Sequence, residues 1–231
     1  MSLVLVVHGT RRPEGIAMIG DLVEQVGAVL KQRVHVGFVD VLGPTPSEIL
    51  SDPAVAAEPA IVVPAFLSRG YHVRTDLPSH VATSCHPDVI VTPALGPSPQ
   101  LARIVFHQMR ESGWRPGDSV VLAAAGTSDK AARTDLRTTA MLLATLTGSP
   151  VELAFAATGE PSVAEAVAQA RSRSARRVVV ASYLLAEGLF QERLRDSGAD
   201  VVSRPLGTDP ALVRLIAGRF QAARACAPVS P

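Results

Sequence analysis

Short runs of aliphatic and β-branched residues punctuate the chain at 3–7, 34–39, 60–64, 89–91, 119–123, 151–155, 177–182 and 199–202. The first, Leu3 to Val7, is too uniformly apolar for a half-exposed strand and predicts a central strand buried on both faces. Between the runs the apolar positions return at helical spacing. From Ile16 to Lys31 they are Ile19, Leu22, Val23, Val26 and Leu30. A short helix is expected after Pro46, and another after Asp76, with Asp76 as its cap and Pro78 in its first turn. Helices are also expected from Pro99 to about 112, and at about 131–146, 162–173, 188–197 and 209–224. Strands alternating with helices predict parallel sheets covered on both faces. The expected class is α/β: two similar domains, each a four-stranded parallel sheet flanked by helices.

The second half of the chain is a worn copy of the first. Gly9-Thr10 returns as Gly126-Thr127, and Val36-Gly37-Phe38 as Leu153-Ala154-Phe155. Phe66-Leu67-Ser68-Arg69-Gly70 returns as Leu184-Leu185-Ala186-Glu187-Gly188, and Ala94-Leu95-Gly96 as Pro205-Leu206-Gly207. A repeat this long marks a duplicated domain. The stretch from Glu111 to Asp118, with Gly113, Pro116 and Gly117, reads as the linker. The expected domains are therefore 1–113 and 118–226, with an active cleft between them.

Chemistry gathers where strands end. The first run stops at His8-Gly9, and the third is followed by a loop through Gly70 to His72. Ligands of open α/β sheets bind beyond the carboxyl ends of the strands, which is where these histidines fall. The duplicate keeps the glycines and strands but has Ala125 in place of His8 and Phe190 in place of His72. Imidazoles that served only the fold would be needed twice. Asp40 ends the second strand, so His8, Asp40 and His72 should converge at one sheet edge. Two imidazoles and a carboxylate suit a borderline divalent metal such as iron, cobalt, nickel or zinc. His35, His80, His86 and His107 are expected to have ordinary surface or packing roles.

Composition narrows the field. Across 231 residues, 47% are apolar and 19% charged, enough apolar surface for a well-filled core. The formal net charge of +1 supplies no field for nucleic acid and no polybasic tail for a membrane, and 4% aromatics offer no stacking platform. The amino-terminal apolar run is broken at His8, too short for a signal peptide or a membrane span. Cys85 and Cys226 are isolated, so no zinc knuckle or thioredoxin-type pair is indicated. The chain reads as a cytoplasmic protein.

His8-Gly9-Thr10-Arg11, Phe38-Val39-Asp40 and the stretch from Pro64 to Pro78, PAFLSRGYHVRTDLP, resemble the sirohydrochlorin chelatases, class II tetrapyrrole metal chelatases in their duplicated form. The resemblance covers nearly the whole chain, and the third segment is its most specific part. It implies a lyase that inserts a divalent metal into sirohydrochlorin without ATP, in sirohaem or cobalamin biosynthesis. The absence of a Walker A motif agrees with that. The family's active-site histidines fall on His8 and His72, and its frequent glutamate on Asp40, a shorter carboxylate. The trio is expected to handle both metal and protons.

The metal, Fe2+ or Co2+, is substrate, and no permanently bound cofactor is expected. The lack of a metal-storing tail favours iron. Arg11, Arg12, Arg69 and Arg74, with backbone N–H groups near Gly9 and Thr10 and their copies Gly126 and Thr127, are the expected anchors for the macrocycle's carboxylates. A fused pair of lobes points to a monomer that binds neither nucleic acid nor membrane.

Two other readings stand beside this one. A non-catalytic metal or tetrapyrrole carrier could use the same fold. A histidine phosphatase is suggested by His-Gly-x-Arg, but it needs an arginine before the histidine, where this chain has Val7.

Overall fold

A computed structural model describes residues 1–173 and 176–227. In chain order the elements of the first half are β1 (Ser2–Val7), α1 (Pro13–Leu30), β2 (Val34–Phe38), α2 (Pro46–Ser51), α3 (Pro53–Ala56), β3 (Ala60–Pro64), a π-helical turn (His72–Asp76), α4 (Leu77–Ser84), β4 (Val89–Val91) and α5 (Pro99–Glu111). The second half has β5 (Ser119–Ala124), α6 (Lys130–Thr147), β6 (Val151–Phe155), α7 (Val163–Ser172), β7 (Val178–Tyr183), α8 (Leu189–Arg195), β8 (Val201–Val202) and α9 (Pro210–Cys226). Both sheets are parallel and have the same order, β2-β1-β3-β4 and β6-β5-β7-β8. No described helix is long and apolar enough to cross a membrane.

Local chemistry explains the elements. β1 and β3 lie at the centre of their sheet, and Leu3 to Val7 and Ala60 to Pro64 are all buried, as two-faced burial requires. α1 opens on Pro13, whose missing N–H costs nothing there, and ends on Lys31 in the left-handed conformation. α2 and α7 each begin with a capping box, Thr45 with Glu48 and Ser162 with Glu165. Each box follows a cis proline, Gly43-Pro44 or Glu160-Pro161. The loop before each box is pinned alike, Phe38 N–H on Pro44 O at 2.9 Å and Phe155 N–H on Pro161 O at 3.0 Å. The repeat therefore persists down to its turns.

The compact units cut the chain differently from the expected halves. One is Met1–Leu95 with the segment that begins at Pro210; the other is Gly96–Asp209. In unit 1, α9 packs against α1 and β3. In unit 2, α5 packs against α6 and β7. The last helix of each sequence repeat thus covers the sheet of the other repeat. By contact the chain divides at Leu95/Gly96 and Asp209/Pro210, while the repeat in the sequence keeps its own bounds. Helical periodicity reports that a face is buried, not which sheet buries it. The supposed linker is a tied turn within unit 2. Arg177 bonds Asp118 Oδ2 at 3.1 Å and Gly113 O at 2.9 Å, and Arg115 N–H bonds the same Asp118 oxygen at 2.7 Å.

One face of the unit 1 sheet packs Val4, Val6, Ala60 and Val62 against Leu50, Val55 and Leu77 of α2, α3 and α4. The matching face of unit 2 packs Val121, Ala123, Ala154, Val178 and Val180 against α7 and Leu194 of α8. Clusters of this kind are the main stabilising contribution, at about 1.5–3 kcal/mol for each fully buried aliphatic side chain.

Candidate active site

The carboxyl edge of the unit 1 sheet brings the two predicted histidines together. His8 follows β1 and His72 opens the π-helical turn after β3. Their ring centroids are 4.8 Å apart and the rings are nearly perpendicular, at 89°. Phe66 stacks on His72 at 5.9 Å and 15°, and Tyr71 meets it edge-on at 5.7 Å. His72 is two-thirds buried in this aromatic setting, whereas the side chain of His8 is 46% exposed.

Asp40 is held beside His8 by the sheet itself. Val39 N–H bonds Val7 O and Asp40 N–H bonds His8 O, so the chain beyond β2 continues the ladder next to the end of β1. Gly9 makes the approach possible. Its φ is +94°, and a Cβ there would lie 2.5 Å from Asp40 O. Asp40 Oδ1 accepts from Val41 N–H at 2.7 Å, and Oδ2 stands 4.0 Å from His8 Nε2. Leu42 N–H returns to Asp40 O at 2.8 Å around Val41, whose φ is +72°. That is a γ-turn of the rare, strained hand, and a β-branched residue at positive φ is a true outlier. Strain of this kind persists where surrounding structure imposes it, and it collects at functional sites.

Asp76 was expected to cap a helix, and the structure corrects this. Asp76 is in helical conformation and makes no capping bond. Helical backbone begins before it, and Leu77 N–H bonds His72 O, the wide spacing of a π turn. Pro78 gives a reason for the widening: in a regular α-helix its ring would meet the carbonyl of Arg74. Freed from capping, Asp76 Oδ2 lies 2.9 Å from His72 Nδ1. With the Nδ1 proton donated to Asp76, the lone pair of His72 sits on Nε2, the nitrogen left for a metal or a substrate proton.

On its other side Asp76 faces His80, Oδ1 to Nε2 at 3.7 Å, and His80 Nδ1 is 3.1 Å from Ser47 Oγ. His80 is therefore part of the site's support, not an ordinary packing histidine. Sequence reasoning missed both residues. The signal was there in the regular spacing His72, Asp76, His80, one helical face repeated every fourth residue. The other three histidines do stand elsewhere. Burial and Arg33 lower the pKa of His35; His86 bridges Val55 O and Asp88 N–H; His107 lies 3.4 Å from Asp209.

The expected three-ligand set is not pre-assembled. Among the described residues, no group of three or more His, Cys, Asp or Glu side chains is arranged to hold a metal ion. His8 and His72 form a pair of nitrogen donors, with Asp40 outside and more than half exposed. Arg11, Arg12, Arg69 and Arg74 are all exposed on the two histidine segments. Thr10 Oγ1 accepts from Arg12 N–H at 3.3 Å, bracing the first loop. The Thr127 N–H is not available as an anion donor, because it bonds Thr158 O at 2.8 Å.

Comparison with known proteins agrees with this architecture. The CbiX family model matches residues 2–112 and again 119–223. The sirohydrochlorin cobaltochelatase of Methanopyrus kandleri is 25% identical over 140 residues, covering 48% of this chain and 96% of its own length. That of Methanothermobacter thermautotrophicus is 26% identical over 133 residues, covering 48% of this chain and 92% of its own length. Among solved structures, SirB from Bacillus subtilis with Fe3+ superposes with a TM-score of 0.82 at 20% identity, over 97% of this chain and 95% of its own. CbiX, described as the terminal enzyme of sirohaem biosynthesis in denitrifying bacteria, superposes at 0.70 and 18% identity, over 96% of this chain and 99% of its own. With the family model matched twice, over nearly the full length of both repeats, the chain belongs to the CbiX family.

Proposed function

We propose that the unit 1 edge inserts a divalent metal into sirohydrochlorin without ATP. The observation that carries this is the His8–His72 pair, 4.8 Å apart at a sheet edge whose duplicate has neither imidazole. Metallation exchanges two pyrrole N–H protons for one divalent cation, so the site must receive protons and pass on a metal. His72, with Asp76 fixing its tautomer, takes the two pyrrole protons in turn at Nε2, passing the first to solvent before it accepts the second. His8, open to solvent and 4.0 Å from Asp40, receives the metal. One imidazole nitrogen and one outlying carboxylate hold a cation without saturating it, which lets the macrocycle nitrogens complete the coordination. Imidazole and carboxylate accept ferrous and cobaltous ions alike, so metal choice at this donor set follows supply. The curated relatives are cobaltochelatases and the SirB structure is with Fe3+, so both metals fall within the proposal.

The test is anaerobic mixing of the protein, sirohydrochlorin and Co2+ or Fe2+, followed by absorbance. Acceleration over the spontaneous reaction, lost in His8→Ala and in His72→Ala, is the expected result. Stoichiometric binding with no acceleration would make the protein a carrier instead.

A further inference from the structure

The carboxyl edge of unit 2 has lost the imidazoles and gained two guanidiniums. Arg133, near the start of α6, donates Nε–H to Thr127 O at 3.3 Å and lies over the Phe155 ring, 5.4 Å from its centroid. Arg193, on α8, donates Nη1–H to Ala156 O at 3.1 Å and lies over Phe190 at 5.8 Å. α8 contributes Leu194 to the cluster that also holds α7, while α6 packs with α5. The two arginines therefore return over the end of β6 from opposite faces of one sheet.

Three observations separate them from ordinary surface arginines. Each is held twice, by a backbone carbonyl and by an aromatic face, so its remaining N–H groups present a fixed fork. Neither forms an ion pair with a carboxylate among the described residues. Asp129 Oδ1 accepts from Ala131 and Ala132 N–H, and Glu187 is held by Arg195 through both oxygens. Finally, the duplicate positions in unit 1 are Ile16 and Thr75, so the shared scaffold does not demand charge there.

We propose that the unit 2 edge is a carboxylate-binding platform, with Arg133 and Arg193 each taking a carboxylate of a polycarboxylate tetrapyrrole. This rests on the chelatase reading, which supplies the ligand class, and concerns the unit 2 edge taken by itself. Planar guanidiniums pair carboxylates through two parallel bonds, and such pairs tolerate the loss of neither partner well.

The probe is uroporphyrin, a polycarboxylate tetrapyrrole, added without metal and followed by fluorescence titration. Arg133→Gln and Arg193→Gln should each weaken binding roughly 3- to 10-fold, and the double variant by more than either. Arg214→Gln, which removes the same charge from an exposed position on α9 of unit 1, should change binding less than about twofold. Circular dichroism melts check that the variants fold. The platform is overturned if wild type does not bind uroporphyrin, if the double variant binds it as wild type does, or if Arg214→Gln weakens it equally. Sirohydrochlorin metallation, measured in parallel, separates the two ideas. A wild type that metallates, with arginine variants that bind uroporphyrin undiminished, removes the platform alone. A wild type that fails to metallate removes the chelatase reading, and the titration still reports on the arginines.

Discussion

The two sheets end in the same scaffold and in opposite chemistry. After β1 and β2, unit 1 carries His8, Gly9 and Asp40; after β5 and β6, unit 2 carries Ala125, Gly126 and Ala157. The backbone bonds correspond one for one, Asp40 N–H to His8 O at 3.2 Å and Ala157 N–H to Ala125 O at 2.9 Å. Farther along, His72 and Asp76 are replaced by Phe190 and Leu194. Leu194 is fully buried in the core cluster, and Ala125 and Phe190 pack against it. At these four positions unit 2 is apolar, with Ala125, Phe190 and Leu194 packed into or against its core. Unit 1 keeps four polar groups where the fold accepts apolar ones. Stability cannot be the reason, since a buried leucine contributes about 1.5–3 kcal/mol that Asp76 forgoes. Natural proteins hold such unfavourable choices at functional sites.

The comparison can be broken first at Asp76. Asp76→Leu writes the unit 2 residue into unit 1. Metallation should slow about 10- to 100-fold, because a histidine that loses its orienting carboxylate loses its fixed tautomer. The melting temperature should stay level or rise. A variant with unchanged rate would show that Asp76 is mere scaffold.

The next cut is at the glycines, where the units should agree in stability and part in function. Added Cβ atoms would lie 2.5 Å from Asp40 O at Gly9 and 2.5 Å from Thr158 N and O at Gly126, both at positive φ. Gly9→Ala and Gly126→Ala should each destabilise by about 2 kcal/mol, read from chemical denaturation. Only Gly9→Ala displaces Asp40 from His8, so per folded molecule it alone should weaken binding of Co2+. Equal metal binding by the two variants would separate Asp40 from the site.

What could be read from the sequence follows the same division. Buried strands and the repeat were legible because alternation and apolar runs are local signals, and the fold class follows from them. The histidine pair was legible because the duplicate lost it. The exchange of α5 and α9 was not, since an apolar helix face does not name the sheet it covers. Asp76 looked like a cap because Asp-Leu-Pro is a common helix start, and only the π turn brings it back to His72. Arg133 and Arg193 carried no signal of their own, since the Phe155 ring under Arg133 and the Ala156 carbonyl that holds Arg193 come from segments distant in sequence.

The smallest expected effect concerns acid. Backbone N–H donation from Thr45 lowers the Glu48 pKa, and the same bond from Ser162 lowers that of Glu165. A carboxylate whose folded pKa is depressed adds stability that is whole above its unfolded pKa and fades as pH falls through the folded value. The sign is therefore loss on acidification, below the ordinary glutamate range. Glu48→Gln and Glu165→Gln should each flatten the acid limb of the melting temperature slightly, and to a similar extent, since the two capping boxes are copies. A flattening confined to one unit would show that the caps have diverged as the edges have.

The most direct measurement converts one edge into the other. The variant His8→Ala/His72→Phe gives unit 1 the residues that unit 2 already tolerates at the same positions. It should fold with a melting temperature equal to or above that of wild type, and metallate sirohydrochlorin with Co2+ or Fe2+ no faster than the spontaneous reaction. A folded double variant that still accelerates metallation would contradict the account, because the imidazole pair would then not be the group that performs it.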